Sequence, residues 1–260
     1  MRESGPRLAP LVLWLGAGCI AACAVLISML PAAWVSSELA RHTAGRLSLH
    51  EVDGSIWNGS AQLVLGSDED PDTSAPLPGR IEWQVDPSAL LGGHIAVHIT
   101  AAELLERPVD VAISRNEFEL GAGHWQMPLA PLVALGAPFN TLKLGGHLDC
   151  HWNFWHVDSG KMSGESEIQL TDIVSSLSPV RPLGTYHVVL TGQGEQVALL
   201  LATLKGPLLI DAKGQFNESG IAIAGLAHAE PGEEERLADL LGVLGRRDAN
   251  GVAFSFGTSN

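Results

Sequence analysis

The first pattern along the chain is an uninterrupted apolar run. From Leu8 to Leu30 no residue is charged, and the run is longer than the about 20 residues that cross a bilayer core as a helix. Arg2 and Arg7 precede the run and Trp34 follows it. By the positive-inside rule this arrangement keeps residues 1–7 in the cytoplasm and sends the rest of the chain outward. The pattern predicts one transmembrane helix over residues 8–30.

Two other interpretations of this run stay open. A cleavable secretory signal has an apolar region of roughly 7–15 residues, which is shorter than this run. Pro31 also lies inside the stretch Met29–Ala33, which makes that stretch a poor cleavage site. The third interpretation is a helix buried in a protein core.

After a linker over residues 31–46, the hydrophobic period changes to two. Residues 33–40 can continue as two helical turns until Gly45 stops them, and Asp53–Gly54 and Asn58–Gly59 favour tight turns. Alternation over four to eight residues is typical of half-buried antiparallel strands. Residues 67–78 predict a loop, and residues 86–91 a single helical turn. The strands predicted in this first series are Ala61–Leu65, Arg80–Val85, His94–Ile99, Val109–Ile113 and Glu117–Leu120, after an opening strand from Leu47.

A second series of strands follows a proline-rich apolar stretch, Met127–Gly136, which predicts a short helix. Both series open with a glycine-bearing turn and continue with a tryptophan-bearing strand. One interpretation is a duplicated β-meander with halves 47–136 and 141–230; the other is that antiparallel proteins show glycine turns at about 8–12-residue spacing anyway. The strands predicted in the second series are Leu142–Leu148, His151–Trp155, Gly164–Leu170, Tyr186–Leu190, Val197–Thr203, Pro207–Lys213 and Ile221–Ala224.

Residues 231–247 predict a closing helix. Pro231 suits its first turn, Glu233–Glu235 lie near the positive end of the helix dipole, and Arg246–Arg247 lie near the negative end. Its leucines recur at spacings of three and four, so one apolar face is expected to dock on the sheet. The predicted fold class is therefore mainly β: an antiparallel domain over residues 47–260, with one transmembrane helix before it and a helix near its end. Sandwich, curled half-barrel and duplicated sheet stay open.

Composition narrows the classes of partner. The chain has 29 acidic and 15 basic residues, a formal net charge of −14. Because residues 1–7 carry a net +1, the part after the apolar run carries −15. Such charge disfavours nucleic acid and anionic lipid, and it favours partners with basic patches. Cys150 is the one cysteine outside the apolar run, so no disulfide can form within the domain. We interpret Cys150 as buried, with a contact to another chain as the alternative.

One constellation could carry chemistry. On a strand, His147, Asp149 and His151 would share a face, and all three side chains can bind a metal. The alternative, which we favour, is a polar edge opposite Leu148 and Cys150. The other histidines are scattered, although His94 and His98 would share a strand face. Gly192–Gly194 is interpreted as a hairpin turn. No catalytic, cofactor-binding or metal residue is assigned, and no enzyme activity is predicted.

Four stretches together resemble the protein N family of the type II secretion system. They are Val52–Ala61, Trp83–Pro87, Pro182–Tyr186, and Leu240–Arg247 with Gly251 just after it. The resemblance runs from the apolar segment to the closing helix. The loop over residues 67–78 is longer than the family pattern suggests, and Cys150 lies outside that pattern.

The resemblance implies an accessory structural subunit of the machinery that exports folded proteins across the outer membrane. It implies a single-pass protein of the inner membrane with a cytoplasmic N-terminus and a periplasmic domain. Other inner-membrane and periplasmic subunits of the system are the expected partners, and no cofactor is expected. The alternative function is a membrane-anchored protein that binds lipid along an apolar groove. A third hypothesis is a hydrolase or metal site near His147 and His151.

Overall fold

Two antiparallel β-sheets make up most of the chain. The structure, a computed structural model, describes residues 30–66, 74–136, 139–217, 220–248 and 251–257. Each sheet has nine strands, and the mainly β, antiparallel class predicted from the alternation is confirmed. The physical reason is that a period of two places alternate side chains on opposite faces of a sheet, which suits strands with one face on a core.

The first sheet runs in the spatial order β1-β2-β4-β5-β6-β7-β10-β11, with β3 paired to β2. Apart from the steps from β2 to β4 and from β7 to β10, neighbouring strands of this sheet also follow one another in the chain. Its strands are β1 (Leu47–Gly54), β2 (Asn58–Leu65), β3 (Ala75–Pro76), β4 (Ile81–Asp86), β5 (Ile95–Thr100), β6 (Val109–Ile113), β7 (Glu117–Leu120), β10 (Trp155–Asp158) and β11 (Lys161–Ser163).

The second sheet has the order β17-β18-β16-β15-β14-β13-β12-β9-β8. The long central meander from β12 to β16 matches the last five strands of the predicted second series, and Gly192–Gly194 forms the predicted hairpin turn between β13 and β14. The first two predicted strands, Leu142–Leu148 and His151–Trp155, are wrong as separate strands, because β9 runs through to Trp152 and β10 begins only at Trp155. Its strands are β8 (Gly123–Pro128), β9 (Leu144–Trp152), β12 (Glu165–Ser175), β13 (Gly184–Gly192), β14 (Val197–Lys205), β15 (Leu208–Asn217), β16 (Gly220–Ala229), β17 (Arg246–Asp248) and β18 (Gly251–Gly257).

Helices are few and short in the described residues. They are α1 (Ala33–His42), α2 (Phe139–Leu142), α3 (Glu234–Leu244), and the 3-10 helices Pro87–Gly92 and Ala130–Leu135. The two helical turns predicted over residues 33–40 are confirmed in α1, and Gly45, with a φ of 71°, follows it. Their continuation from the preceding segment is wrong, because Pro31 forms an isolated bridge with Ser55 and α1 begins only at Ala33. The predicted helical turn over residues 86–91 is confirmed as a 3-10 helix, which the Asp86 carboxylate caps by accepting from the Ser88 N–H over 2.8 Å.

The predicted membrane helix, residues 8–30, lies outside the described residues except for Leu30. Within the part of the chain that is described, no helix has both the length and the apolar content to cross a membrane.

Other sequence predictions also need correction at the level of elements. The turn between β1 and β2 is Ser55–Trp57, and Asn58 and Gly59 already belong to β2. Within the predicted loop 67–78, residues 75–76 form β3 and pair with β2, while residues 67–73 are not among the residues that the structure describes. The closing helix spans Glu234–Leu244, so Pro231 precedes it instead of lying in its first turn. Arg246–Asp248 continue as β17, because β18 offers this segment a strand to pair with.

The chain crosses between the sheets at places other than the predicted border of the halves. Strand β8 precedes that border but lies in the second sheet, and β10 and β11 follow it but lie in the first. The internal duplication itself stays a prediction.

One core cluster joins the two sheets. It combines residues of the first sheet, among them Leu63, Leu65 and Val109, with Met127 and Trp152 of the second. A larger cluster lies between the second sheet and α3, where Leu237, Leu240 and Leu241 are buried. The docking of the closing helix on its own sheet, expected from its leucine spacing, is thereby confirmed. Cys150 is half-buried and packs at the margin of the joining cluster.

Candidate functional site

Strand β9 carries the three residues that the sequence suggested as metal ligands. His147, Asp149 and His151 lie on one face of β9, and Leu148 and Cys150 lie on the other. His147 is exposed near the start of the strand. Asp149 and His151 face β8 and come next to its polar side chains. The structure therefore brings two of the three into a polar site and leaves His147 apart.

That polar site is built around His124 of β8. Its Nδ1 lies 2.9 Å from Oε2 of Glu106, and its Nε2 lies 2.9 Å from Oδ2 of Asp149. The Gln126 amide donates to the same Asp149 oxygen over 2.8 Å. The rings of His124 and His151 stand edge to face, with centroids 6.1 Å apart. We call these five residues the His124 cluster.

The two carboxylates favour the protonated imidazole of His124. A neutral imidazole has one N–H, so both ring nitrogens can donate to carboxylates only in the cation. The pKa of His124 is raised, mostly by the hydrogen bond to Glu106 and next by that to Asp149. The same hydrogen bond lowers the pKa of Glu106. Because Glu106 lies in the loop before β6, the cluster acts as a charged clamp between the two sheets.

Neither ring nitrogen of His124 is left with a lone pair for accepting a proton in this arrangement. Among the residues that the structure describes, no three His, Cys, Asp or Glu side chains are placed to hold a metal ion together. What the geometry of the His124 cluster provides is a fixed, ionised contact between β8, β9 and the loop at residue 106.

Sequence reasoning missed both His124 and Glu106. The available signal for His124 was the alternation across residues 123–128, which marks a strand and would have set His124 and Gln126 on one face. Glu106 carries no such signal, because it lies in an irregular loop and its position depends on the long-range bridge between Leu105 and Trp125.

A second polar pair lies on the first sheet. Nδ1 of His98 on β5 is 2.7 Å from Oδ1 of Asp110 on β6, and the pair lines an open cleft of about 420 Å³. The sequence had suggested no carboxylate near His98, because residue 110 becomes its neighbour only through strand pairing. His94 lies before β5 begins, so the predicted shared strand face with His98 is wrong.

A purely apolar cavity lies between the second sheet and α3. It has a volume of about 340 Å³ and is lined by side chains of β9, β12, β13, β14 and β15 below and of α3 above. Its sheet-side lining includes Leu148, Leu170, Val188 and Leu201, and its helix-side lining includes Leu240. A cavity of this size is more than twice the roughly 150 Å³ apolar cavity that stays dry and binds benzene.

The two polar side chains at the cavity wall have their hydrogen bonds satisfied elsewhere. Ser175 Oγ donates to the Leu142 carbonyl over 2.6 Å, and the Tyr186 hydroxyl donates to the Leu208 carbonyl over 3.0 Å. Burial raises the pKa of Tyr186, so its hydroxyl stays neutral. The wall therefore offers hydrocarbon contacts, and a ligand there would need an apolar portion of similar size.

Comparison with known protein families gives a match over most of the chain. The family model described as type II secretion system (T2SS), protein N, matches residues 45–255, from just before β1 into β18. No curated protein and no solved structure shows significant similarity to the chain. The matched family is the one that residues 52–61, 83–87, 182–186 and 240–247 resemble.

Proposed function

The chain belongs to the type II secretion system protein N family, and from this premise we propose that it is an accessory structural subunit held at the inner membrane by residues 8–30. Family membership makes it a component of the type II secretion system. The observation that supports the role of an accessory structural subunit is the extent of the family match, which covers both sheets. The proposed role is to support the export of folded proteins without an enzymatic step of its own.

The architecture suits a rigid scaffold. The two sheets share a core cluster and are clamped at the His124 cluster, so surfaces at opposite ends of the domain keep a fixed relation. The strong negative charge of the chain favours partners with basic patches over nucleic acid. The proposed partners are other inner-membrane and periplasmic subunits of the same system.

The sheet edges differ in how open they are to such partners. The edge at β8 is already paired with the segment 104–106, because the Glu106 N–H donates to the His124 carbonyl and the Gln126 N–H donates to the Leu104 carbonyl. On the first sheet, Met162 of β11 exchanges two backbone hydrogen bonds with Gly194. Strand β17 ends the second sheet, and no further described strand pairs with it. An exposed edge of this kind can accept an extended segment of another chain. Because β17 lies in the stretch that resembles the family, we propose it as the docking edge.

Proline substitutions at Arg246 and at Arg247 test this edge. Successive N–H groups of a strand point to opposite edges, so one of the two prolines removes an outward donor and the other disturbs the pairing with β18. The outward substitution should abolish partner binding and leave the unfolding midpoint within error. Alanine at the same position is the matched control, because it removes the charge but keeps the N–H. Full binding by both proline variants would reject the β17 edge.

The role itself is tested by in-cell crosslinking of the full-length protein, followed by its purification from membranes. Recovery of other inner-membrane subunits of the secretion system supports the scaffold role. Recovery of phospholipid with no secretion subunit contradicts it.

A second candidate, binding of a lipid chain, is favoured by one observation, the 340 Å³ apolar cavity under α3. A Leu201→Trp substitution would fill the cavity from β14. If the cavity holds an acyl chain, lipid that co-purifies with the wild-type protein should be lost from the Leu201→Trp variant while the protein stays folded. Equal lipid content in the two proteins would reject this candidate.

A further inference from the structure

Five large apolar side chains are exposed together at one end of the first sheet. Ile95, Ile113 and Phe118 lie in register across β5, β6 and β7, and Leu90 and Leu91 lie on the 3-10 helix before β5. Leu91 is 94% exposed, and the other four are 37–44% exposed. We call these five residues the apolar tip.

Three residues of the apolar tip, Ile95, Ile113 and Phe118, continue the core-facing side of the sheet. Along β6 the same face carries Val109, Val111 and Ile113, whose exposures are 3%, 8% and 40%. The part of the molecule that buries this face therefore stops short of the end of the sheet and leaves Ile113 exposed. Exposed apolar side chains grouped at one end of a sheet, one of them a 94% exposed leucine, are typical of a contact with a partner or a membrane.

The residues that follow the apolar run are bound to the same sheet. The Ile56 N–H donates to the Leu30 carbonyl over 3.1 Å, Pro31 forms an isolated bridge with Ser55, and the Ala32 N–H donates to the Gly54 carbonyl over 3.2 Å. Ala32 is buried in a small cluster with Trp83. No free linker thus separates Leu30 from the sheet, and the point where residues 8–30 end is fixed at the turn between β1 and β2.

That turn and the apolar tip lie at the same end of the sheet. Asn58, at the start of β2, pairs with Gln84, near the end of β4, and β4 leads directly into the 3-10 helix of the tip. Strands are about 4.8 Å apart, so Ile95 lies roughly 10 Å across the sheet from β2, and Phe118 lies roughly 19 Å across it.

We infer that the apolar tip inserts into the outer leaflet of the membrane in which residues 8–30 are embedded. The inference rests on the proposed membrane anchor, because a segment that ends in the bilayer at Leu30 holds this end of the sheet against the lipid surface. The exposed charged residues near the tip are mixed in sign, with Arg115 and Lys161 against Asp86, Glu117 and Asp158. Insertion of hydrocarbon, rather than attraction to anionic headgroups, is therefore the mode of binding.

Depth-dependent fluorescence quenching tests this contact in the full-length protein. The native cysteines are replaced by alanine, and a single Leu91→Cys is labelled with a polarity-sensitive fluorophore. The protein is reconstituted in vesicles of phosphatidylethanolamine and phosphatidylglycerol that contain nitroxide-bearing lipid. Leu204→Cys is the matched control, because Leu204 is also an exposed leucine but lies on β14 of the second sheet. The label at residue 91 should be quenched several-fold more strongly than the label at residue 204, with a blue-shifted emission.

The other outcomes distinguish failure of the tip inference from failure of the proposed membrane anchor. If the protein resists extraction by alkaline carbonate but the two labels are quenched equally weakly, the tip inference fails and the anchor stands. A label at residue 91 that is blue-shifted but not quenched by lipid would assign the tip to a second copy of the chain and also overturn the inference. If carbonate releases the protein, the anchor fails, and the tip inference fails with it.

Discussion

Glycine lies against the indole ring of a tryptophan at three places. A Cβ on Gly59 would lie 2.5 Å from Cζ2 of Trp83, and a Cβ on Gly164 would lie 2.5 Å from Cδ2 of Trp155; Gly123 packs against Trp152 in the same manner. From the sequence, Asn58–Gly59 is expected to form a tight turn. The φ of Gly59 is not positive, and the reason for a glycine there is the close approach of the Trp83 ring and of the Asp53 and Ser55 carbonyl oxygens.

Substitution of Gly59 by alanine should lower the free energy of unfolding by about 1–3 kcal/mol, because the added methyl group forces the Trp83 ring or the β2 backbone to move. Chemical denaturation of the full-length protein in detergent measures the change. Gly242→Ala is the matched control, since a Cβ there meets no atom within 4 Å on the exposed side of α3. That variant should be neutral or more stable by about 0.5–1 kcal/mol. Equal effects of the two substitutions would contradict the steric account.

The His124 cluster predicts a pH dependence. Because the folded-state pKa of His124 is raised, its stabilising contribution is complete below the unfolded-state pKa of about 6.5 and is lost as pH rises through the folded-state value. The lowered pKa of Glu106 means that its own contribution is present above about pH 4.3 and is lost as pH falls. The clamp should be strongest between these limits.

A His124→Asn variant should therefore lose more stability, relative to wild type, at about pH 5.5 than at about pH 9. Denaturation curves at the two pH values measure the difference. His147→Asn on β9 is the control, because His147 is exposed and has no charged partner among the described residues. A pH-independent loss in His124→Asn would show that the residue contributes packing alone.

At the scale of elements, the leucine spacing of α3 predicted both the helix and its docking face. The pattern could not predict where the helix ends, because the residues after Gly245 pair with β18 as a strand, and the spacing of the leucines carries no sign of that pairing. Arg246 and Arg247 consequently lie on an edge strand instead of at the negative end of the helix dipole.

Leu237→Ala should lower the free energy of unfolding by about 2–5 kcal/mol, because Leu237 is fully buried between α3 and the second sheet. Val243→Ala on the exposed side of the same helix should change it by less than about 0.5 kcal/mol. Urea denaturation followed by circular dichroism measures both. Similar losses in the two variants would indicate that α3 is not docked as described.

At the scale of the whole molecule, the two sheets depend on one another. Trp152 on β9 packs among first-sheet residues such as Leu65 and Val109, and its indole N–H donates to the Gly121 carbonyl over 2.8 Å. A core that spans both sheets couples their unfolding, whereas two independent halves would unfold separately.

The domain should consequently unfold in a single transition, and Trp152→Ala should cost about 3–5 kcal/mol. Hydrogen exchange should speed up in both sheets of this variant by a similar factor. Phe154→Ala serves as control, because Phe154 is exposed just after β9. Faster exchange confined to the second sheet would mean that the sheets are separate folding units.

The sequence by itself determined the secondary structure class, most strands, the closing helix and the family, because each of these follows from local periodicity or from short motifs. The strand at Ile81–Val85 and the helix marked by the leucines of α3 could be predicted without knowing which distant residues they contact. The tertiary structure alone decided which strands share a sheet, that Glu106 and Asp149 meet at His124, and that the apolar tip lies at the same end as Leu30. These relations join residues far apart in the chain, and strand pairing, which depends on the burial of whole faces, brings them together.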